Sequence, residues 1–275
     1  MMRQRKLILK QSDQKRRPPA DNELHEVQAP SWLLLALEGR AAWEFGASLV
    51  AAPLLKSVPK GDGHPVLVFP GLVTGDFSTL VLRNYIEQCG YVPYAWEQGL
   101  NLGPRPGVIE RCVERVQSLR QHHKAPVSLV GWSLGGIYAR EIAKQIPDDV
   151  RMVVTLGTPF AGNPKANNAW RLYEMASGQS IESDLRTVHL HKAPPVPTTS
   201  IYSRTDGVVA WRCSVERESE RSENIEIHAS HLGMCMNPTA LYAVADRLAQ
   251  AHGDWKRFDA NGLSGVKKLL YRSAK

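Results

Sequence analysis

The pentapeptide Gly131-Trp132-Ser133-Leu134-Gly135 holds the residues of this sequence whose types and spacing best suit chemistry. An apolar run, Val127 to Val130, precedes it and a helical pattern follows it, so a strand is expected to turn sharply into a helix at the serine. Such a turn strains the backbone, lifts the serine clear of the sheet and places it at a helix N-terminus, which favours a developing oxyanion. Gly131 and Gly135 leave room for the turn. The pattern therefore predicts Ser133 as a nucleophile.

The pentapeptide alone is weak evidence, because it occurs by chance in roughly one chain in ten of this length. The alternative interpretation is a glycine-rich turn that happens to contain a serine. The strand before it and the helix after it favour the nucleophile.

Strand-like and helix-like stretches alternate on both sides of the pentapeptide. This order predicts an α/β fold with a mainly parallel central sheet, flanked by helices and joined by right-handed crossovers. The predicted strands are PVLVFPGL, YVPYAW, VSLV, VRMVVTLGTPF, TTSIYS and NIEIH. The predicted helices run from Asp76, as N-cap, to Gly90, from Gly107 to His123, from the nucleophile to Gln145, and from Asn237, as N-cap, to Gly253.

Changes of composition divide the chain into segments of different character. The predicted division is a disordered basic arm (1–30), an apolar helix (31–59), the α/β domain (60–255) with a cap insertion (161–196), and a basic tail (256–275). Ser31 is expected to cap the apolar helix, which ends near Pro53. That helix is interpreted either as packed on the domain, with Gly39 and Gly46 in close contact, or as an interfacial anchor rich in Trp and Leu.

The charge of the chain is concentrated at its ends. The formal net charge is +7, of which residues 1–20 carry +6 and residues 253–275 carry +4, leaving 7 − 6 − 4 = −3 for the middle. A body without a basic groove argues against nucleic acid as the main substrate. The tails are expected to be solvated and mobile, with contact with an anionic membrane as the alternative.

The sequence shows no pattern typical of a metal site, a signal peptide or a membrane span. The four cysteines have no zinc-site spacing, and no cofactor or metal is expected. The N-terminus lacks the apolar run and cleavage site of a signal peptide, and no stretch reaches the ~18–20 apolar residues of a membrane span. A cytoplasmic location is expected, and the anchor interpretation would make it peripheral at the membrane. The oligomeric state is left open.

The segments VLVFPG, GWSLGG, TLGTPF, YSRTDGVV and SHLGM occur in the order found in α/β-hydrolases. Over residues 60–250 the chain resembles the bacterial triacylglycerol lipase and esterase branch and its inositol-deacylase-like relatives. The resemblance implies a triad of Ser133, Asp206 and His231, and an oxyanion hole formed by the backbone N–H groups of Leu72 and Leu134. One departure is that many lipases have His-Gly where this chain has Pro70-Gly71.

The triad assignment selects among several candidates. Of the nine histidines, His231 alone follows the last strand in a loop, where the family has its general base. Asp206 would fix the tautomer of His231, although an aspartate in such a turn often bonds only its own backbone. Asp184 is the next candidate for the acid.

These residues predict a serine carboxylic-ester hydrolase, an esterase or lipase that acts through an acyl-enzyme. The alternatives are an acyltransferase with an alcohol as acceptor and a non-catalytic binding protein of the same fold. The expected substrate is an uncharged small-molecule or lipid ester with an aliphatic acyl chain. Trp132, Phe160 and Trp170 are the candidate substrate-binding residues, and the apolar residues of the insertion would cover the acyl group. These apolar residues are Trp170, Leu172, Tyr173, Met175, Ile181 and Leu185.

Cys213 and Cys235 follow the acid and the base by a few residues, so the two thiols are expected near each other. Some lipases tie these loops with a disulfide. The alternative is two free thiols, which the missing signal peptide favours.

Overall fold

A computed structural model describes residues 27–162, 165–178, 190–260, 262–263, 265 and 271. The predictions for residues 1–26, for Asp184 and part of the cap insertion, and for most of the basic tail lie outside these residues.

The described chain alternates helices with six strands, as the sequence indicates. The strands are β1 (Pro65–Phe69), β2 (Val92–Ala95), β3 (Val127–Trp132), β4 (Val150–Leu156), β5 (Thr198–Ser203) and β6 (Ser222–Ile227). The α-helices are α1 (Trp32–Ala36), α2 (Ala41–Val50), α3 (Ala52–Leu55), α4 (Leu80–Gln88), α5 (Val108–His123), α6 (Leu134–Gln145), α7 (Trp170–Ser177) and α8 (Pro238–Leu248). Short 3₁₀ turns lie at Leu37–Arg40, Asp76–Thr79, Pro147–Asp149 and Trp211–Ser214.

The six strands form one parallel sheet in the order β2-β1-β3-β4-β5-β6. Every residue of β1, β3, β4 and β5 is buried, because helices cover both faces. This sheet confirms the predicted fold class. The chain leaves β1 toward one edge and returns on its other side as β3, so the crevice between their carboxyl ends is where such sheets bind ligands.

Two helix boundaries differ from the sequence prediction. Asp76 does not cap a helix, because its carboxylate accepts hydrogen bonds from the backbone N–H groups of Trp96 (3.1 Å) and Glu97 (3.2 Å). A 3₁₀ turn therefore precedes α4. Asn237 caps α8 as expected, but α8 ends at Leu248, five residues before Gly253.

Residues 32–55, here called the N-terminal segment, pack on the domain with their charged side chains inward. Glu38 and Glu44 are buried, whereas Trp32 and Trp43 are 78% and 81% exposed. Ser31 does accept a hydrogen bond from the backbone of Leu34 (3.4 Å), as an N-cap should. Gly39 and Gly46, expected at close helix contacts, have no neighbouring atom within 4 Å of an added Cβ. An ordinary amphipathic surface helix buries its apolar side and exposes its charged side, and this segment does the opposite.

Candidate active site

Ser133 lies between β3 and α6 with a strained backbone. Its φ and ψ are 54° and −123°, a left-handed φ that costs a serine of order 1–3 kcal/mol. The backbone N–H of Ser133 still completes the sheet by donating to the carbonyl of Leu156 at 2.8 Å. The hydroxyl therefore stands at the carboxyl end of the sheet, at the start of α6.

The glycines around Ser133 are needed for close approach. A Cβ on Gly131 would overlap the backbone of Gly135 and Gly136, and a Cβ on Gly135 would overlap the carbonyl groups that end β1. Any side chain at these two positions would push α6 away from the sheet. Neither position therefore has room for a side chain larger than hydrogen.

His231 and Asp206 meet Ser133 in one hydrogen-bonded chain. His231 Nε2 lies 2.9 Å from Ser133 Oγ, and His231 Nδ1 lies 2.7 Å from Asp206 Oδ2. A carboxylate can only accept, so Nδ1 of the neutral ring carries the proton and Nε2 is free to accept the serine proton. The arrangement can therefore activate a hydroxyl for nucleophilic attack.

Both interpretations of Asp206 describe a part of its geometry. Its Oδ1 accepts from the backbone N–H groups of Val208 (2.8 Å) and Val209 (2.7 Å), as expected of a turn aspartate. Its Oδ2 is the oxygen that faces His231. Because the turn fixes one oxygen, the other is held in place for the histidine.

The surroundings of His231 strengthen it as a base. Burial acts to lower the pKa of His231, but the charge and hydrogen bond of Asp206 and the charge of Glu38 outweigh it and raise the pKa. Only 3% of the His231 surface is exposed, so these charges are weakly screened.

Glu38 ties the acid and base loops together from the N-terminal segment. Its Oε1 accepts from the backbone N–H groups of Gly207 (2.7 Å) and His231 (2.9 Å), and its Oε2 accepts from that of Leu232 (2.9 Å). One buried carboxylate thus joins the residue after the candidate acid to the candidate base itself.

Glu44 and Arg40 extend the same contact. Glu44 accepts from the backbone N–H of Ser230 at 2.7 Å and from the Asn237 amide at 3.2 Å. Arg40 donates to the carbonyl oxygen of Thr205 at 2.6 Å. Sequence reasoning gave these three charges no part in the site, so it missed their role. Their spacing of two and four residues was the available signal.

The loop after β1 lies directly against the nucleophile. A Cβ on Gly71 would be 3.3 Å from Ser133 Cβ, so the chain at 70–72 borders the serine. The backbone of Leu72 belongs to this loop, and the backbone of Leu134 begins α6. The two predicted oxyanion donors therefore lie on the two segments that flank Ser133.

The three candidate substrate-binding residues lie in different surroundings. Trp132 is buried and donates its indole N–H to the carbonyl oxygen of His231 at 3.0 Å, so it supports the base loop. Phe160 is buried beneath the guanidinium of Arg140, whose Cζ lies 3.8 Å from the ring centre. Trp170 is half-buried at the start of α7 and packs on the same apolar cluster as Phe160.

A second Asp–His–Ser chain lies at the opposite end of β3. His64 Nδ1 is 2.5 Å from Asp62 Oδ1, and His64 Nε2 is 2.8 Å from Ser128 Oγ. Burial lowers the pKa of His64, and the positive charge of Arg151 lowers it further despite the opposing effect of Asp62. His25 and His189 lie outside the described residues.

The cysteines are free thiols. Cys213 and Cys235 are buried and unbridged, so of the two interpretations the structure has the free pair. Burial raises the pKa of Cys213 to about 12, which makes it a poor nucleophile. Within the described ranges, no group of three or more His, Cys, Asp or Glu side chains could hold a metal ion.

Comparison with known structures identifies the architecture. Aspergillus fumigatus lipase B aligns at 20% identity with a TM-score of 0.58, covering 78% of this chain and 59% of the lipase. A Paleococcus ferrophilus monoacylglycerol lipase aligns at 15% identity with a TM-score of 0.51, covering 70% and 96% of the two chains. The protein has the α/β-hydrolase fold.

The sequence comparisons place the α/β-hydrolase similarity on part of the chain. The family described as "PGAP1-like alpha/beta domain" matches residues 98–208, which include Ser133 and Asp206 but not His231. No curated protein sequence matches the chain. The predicted resemblance to lipases and inositol-deacylase-like relatives is thereby confirmed. At these identities the solved structures establish the fold alone, and the chain spans 59% of the length of the Aspergillus lipase.

Proposed function

We propose that the protein is a serine carboxylic-ester hydrolase in which Ser133 attacks the ester carbonyl. The observation that carries the proposal is the chain from Ser133 to His231 to Asp206, with distances of 2.9 and 2.7 Å at a strained serine. Folds host many activities, so the fold alone would not carry it. The coarser assignment, a lipase- or esterase-like hydrolase, agrees with the similar structures.

The proposed reaction has two halves. His231 takes the proton of Ser133 as the oxygen attacks, and Asp206 stabilises the imidazolium. The backbone N–H groups of Leu72 and Leu134 stabilise the oxyanion. His231 then protonates the leaving alcohol, and an acyl-enzyme remains. Water, activated by the same histidine, releases the acid.

The proposed substrate is an uncharged ester with an aliphatic acyl chain. α7 carries the buried Tyr173 and the half-buried Trp170, which pack on the cluster that includes Leu134 and Phe160. An apolar cover above the serine would hold an acyl chain and limit the entry of water. Each CH₂ that becomes buried adds at most ~0.8 kcal/mol, so kcat/KM should rise a few-fold per carbon until the pocket is full.

The deciding experiment combines labelling with a substrate series. A fluorophosphonate probe should label wild-type protein and not Ser133→Ala. Nitrophenyl esters from acetate upward should show kcat/KM rising before it levels. Labelling that persists in Ser133→Ala would refute the nucleophile, whereas a steady fall from acetate onward would refute the acyl pocket. Product analysis with added alcohol separates hydrolysis from acyl transfer.

A further inference from the structure

The N-terminal segment exposes an unusual amount of apolar surface. Eight of its apolar side chains are each at least 42% exposed. Single exposed apolar residues are common on protein surfaces, but a group of eight in one segment is not. They are Trp32, Leu33, Leu35, Leu37, Trp43, Phe45, Leu49 and Val50. In the described part of the chain, no helix is long and apolar enough to cross a bilayer.

The charges of the segment do not relieve this exposure, because they are used inward. Glu38 and Glu44 are buried against the acid and base loops, and Arg40 donates to Thr205. The outer face is thus left with apolar groups. Tryptophan, with an apolar ring and one N–H donor, suits the boundary between acyl chains and water.

An apolar groove of about 740 Å³ continues this face. Phe45 and Leu49 form one of its walls and Leu80 and Leu241 lie among its other lining residues. Lys56 and Lys60 also line it, and both are exposed. None of the described residues that line the groove is acidic. The chemistry is that of an amphiphile site, with room for an acyl chain beside two cations.

The charge of the preceding chain has the same sign. Residues 1–20 carry a net charge of +6 and residues 21–30 carry −3, so the arm sums to +3. In a symmetric dimer the same patch would face itself, and the lysines of both copies would be brought together without acids to neutralise them. Charge complementarity therefore favours an anionic lipid surface over a second copy of the chain.

We propose that the outer face of the N-terminal segment, together with the groove lined by Lys56 and Lys60, docks on an anionic lipid bilayer. The tryptophans and leucines enter the interface, and the lysines meet the headgroups. The same segment holds the triad loops on its inner side, so docking brings the candidate active site to the lipid. The docking itself is independent of the proposed hydrolysis.

The test measures vesicle binding of full-length Ser133→Ala protein, in which no hydrolysis can alter the lipid. Co-sedimentation with phosphatidylcholine vesicles that contain phosphatidylserine should show binding that weakens with salt, and pure phosphatidylcholine should bind far less. Trp32→Ser/Trp43→Ser should reduce binding at least about tenfold. Lys56→Glu/Lys60→Glu should reduce it roughly fivefold or more per lysine.

Matched controls keep the result specific. Met175→Ser removes an apolar side chain that is 78% exposed on α7, and Lys124→Glu reverses an exposed lysine at the end of α5. Both should bind vesicles as the parent does. Quenching of tryptophan fluorescence by brominated acyl chains should be lost in Trp32→Ser/Trp43→Ser and retained in Trp255→Phe.

Three outcomes would overturn the docking proposal. Unchanged binding by the double tryptophan variant would mean that the basic arm alone binds. Equal binding to neutral and anionic vesicles would remove the role of the lysines. A dimer without lipid that the tryptophan variant dissociates, measured by light scattering, would identify a second copy as the occupant. If wild-type protein binds vesicles but does not hydrolyse soluble esters, only the proposed hydrolase activity is contradicted.

Discussion

Ser128 and Ser133 stand five residues apart, one in β3 and one just beyond it, and each is hydrogen-bonded to a histidine that an aspartate holds. The two chains of atoms are similar, but their settings differ. Ser128 is fully buried inside the strand, whereas Ser133 is partly exposed with a φ of 54°. Residue types and hydrogen bonds therefore do not make a nucleophile unless the backbone also presents the hydroxyl to a substrate.

The histidines differ in electrostatics as well. The pKa of His231 is raised, because the charges of Asp206 and Glu38 outweigh its burial. The pKa of His64 is lowered by burial, with Arg151 adding to that effect. Arg151 also forms an ion pair with Asp62 at 2.9 Å, so its positive charge offsets part of the effect of the Asp62 carboxylate on His64. The hydrogen-bonded group of Ser133, His231 and Asp206 therefore suits proton transfer. The group of Ser128, His64 and Asp62 suits structural support.

The largest expected effect separates the two serines. Ser133→Ala should lower kcat/KM roughly 10⁴- to 10⁶-fold while the protein stays folded. Ser128→Ala should leave kcat near normal and lower Tm by about 2–4 °C, since it removes one buried hydrogen bond worth about 1 kcal/mol. Ester hydrolysis and thermal unfolding measure both. A large loss of kcat in folded Ser128→Ala would erase the distinction.

The next largest effect is the non-additivity of substitutions within each hydrogen-bonded Asp–His–Ser group. Asp206→Ala and His231→Ala should each cost several orders of magnitude in kcat, and the double variant should cost little more than His231→Ala, because the residues act as a unit. Asp62→Ala and His64→Ala should change stability and not kcat. Near-normal kcat in Asp206→Ala would show that the acid is another residue.

A smaller effect concerns Glu38, a positioning residue that acts through the triad loops. Glu38→Gln should lower kcat/KM roughly ten- to hundredfold, because the backbone of His231 loses a charged anchor. Its charge raises the pKa of His231, so removing it should lower that pKa. The acid limb of the kcat/KM profile should then move to lower pH.

Glu44→Gln is the matched control for that shift. It loosens the same loops through Ser230, yet the charge of Glu44 is not among the causes of the raised His231 pKa. Its acid limb should stay in place while kcat/KM falls. If both variants keep the wild-type limb, Glu38 acts through geometry alone.

The smallest expected effect is on stability against pH. The folded pKa of His64 is lowered, so the unfolded chain binds more protons and stability falls as pH falls through the ordinary histidine range. The folded pKa of His231 is raised, so its contribution is present at low pH and is lost as pH rises through that folded pKa. Between pH 8 and 5, His64→Gln should reduce acid sensitivity and His231→Gln should increase it. The measurement is Tm as a function of pH across this range. Equal slopes of Tm against pH in the two variants would contradict the prediction.

The sequence could predict the carboxyl-end site because its signals are local. The pentapeptide and the strand before it are short stretches of chain, and the resemblance to α/β-hydrolases implies Asp206 and His231 from their positions after later strands. The same reasoning predicted the parallel sheet, since continuous apolar runs mark strands that are buried on both faces.

Contacts between distant residues were beyond that reasoning. Glu38 bonds residues 169 to 194 positions away, and Ser128 lies 64 positions from His64. A surface helix normally exposes its polar side, so no local signal indicates that the charges of the N-terminal segment are buried. Only the three-dimensional arrangement reveals that its polar side is the buried one.

The inward glutamates of the N-terminal segment also set the order of events during synthesis. The segment is synthesised before the loops that its charged side chains bind, because the loop partners of Glu38, Arg40 and Glu44 lie 165 to 194 residues later. At roughly 5–20 residues per second the segment waits about 10–40 seconds for them. Throughout that interval these side chains lack the loop partners that they have in the folded protein. The nascent chain can complete the candidate triad only after translation has passed His231.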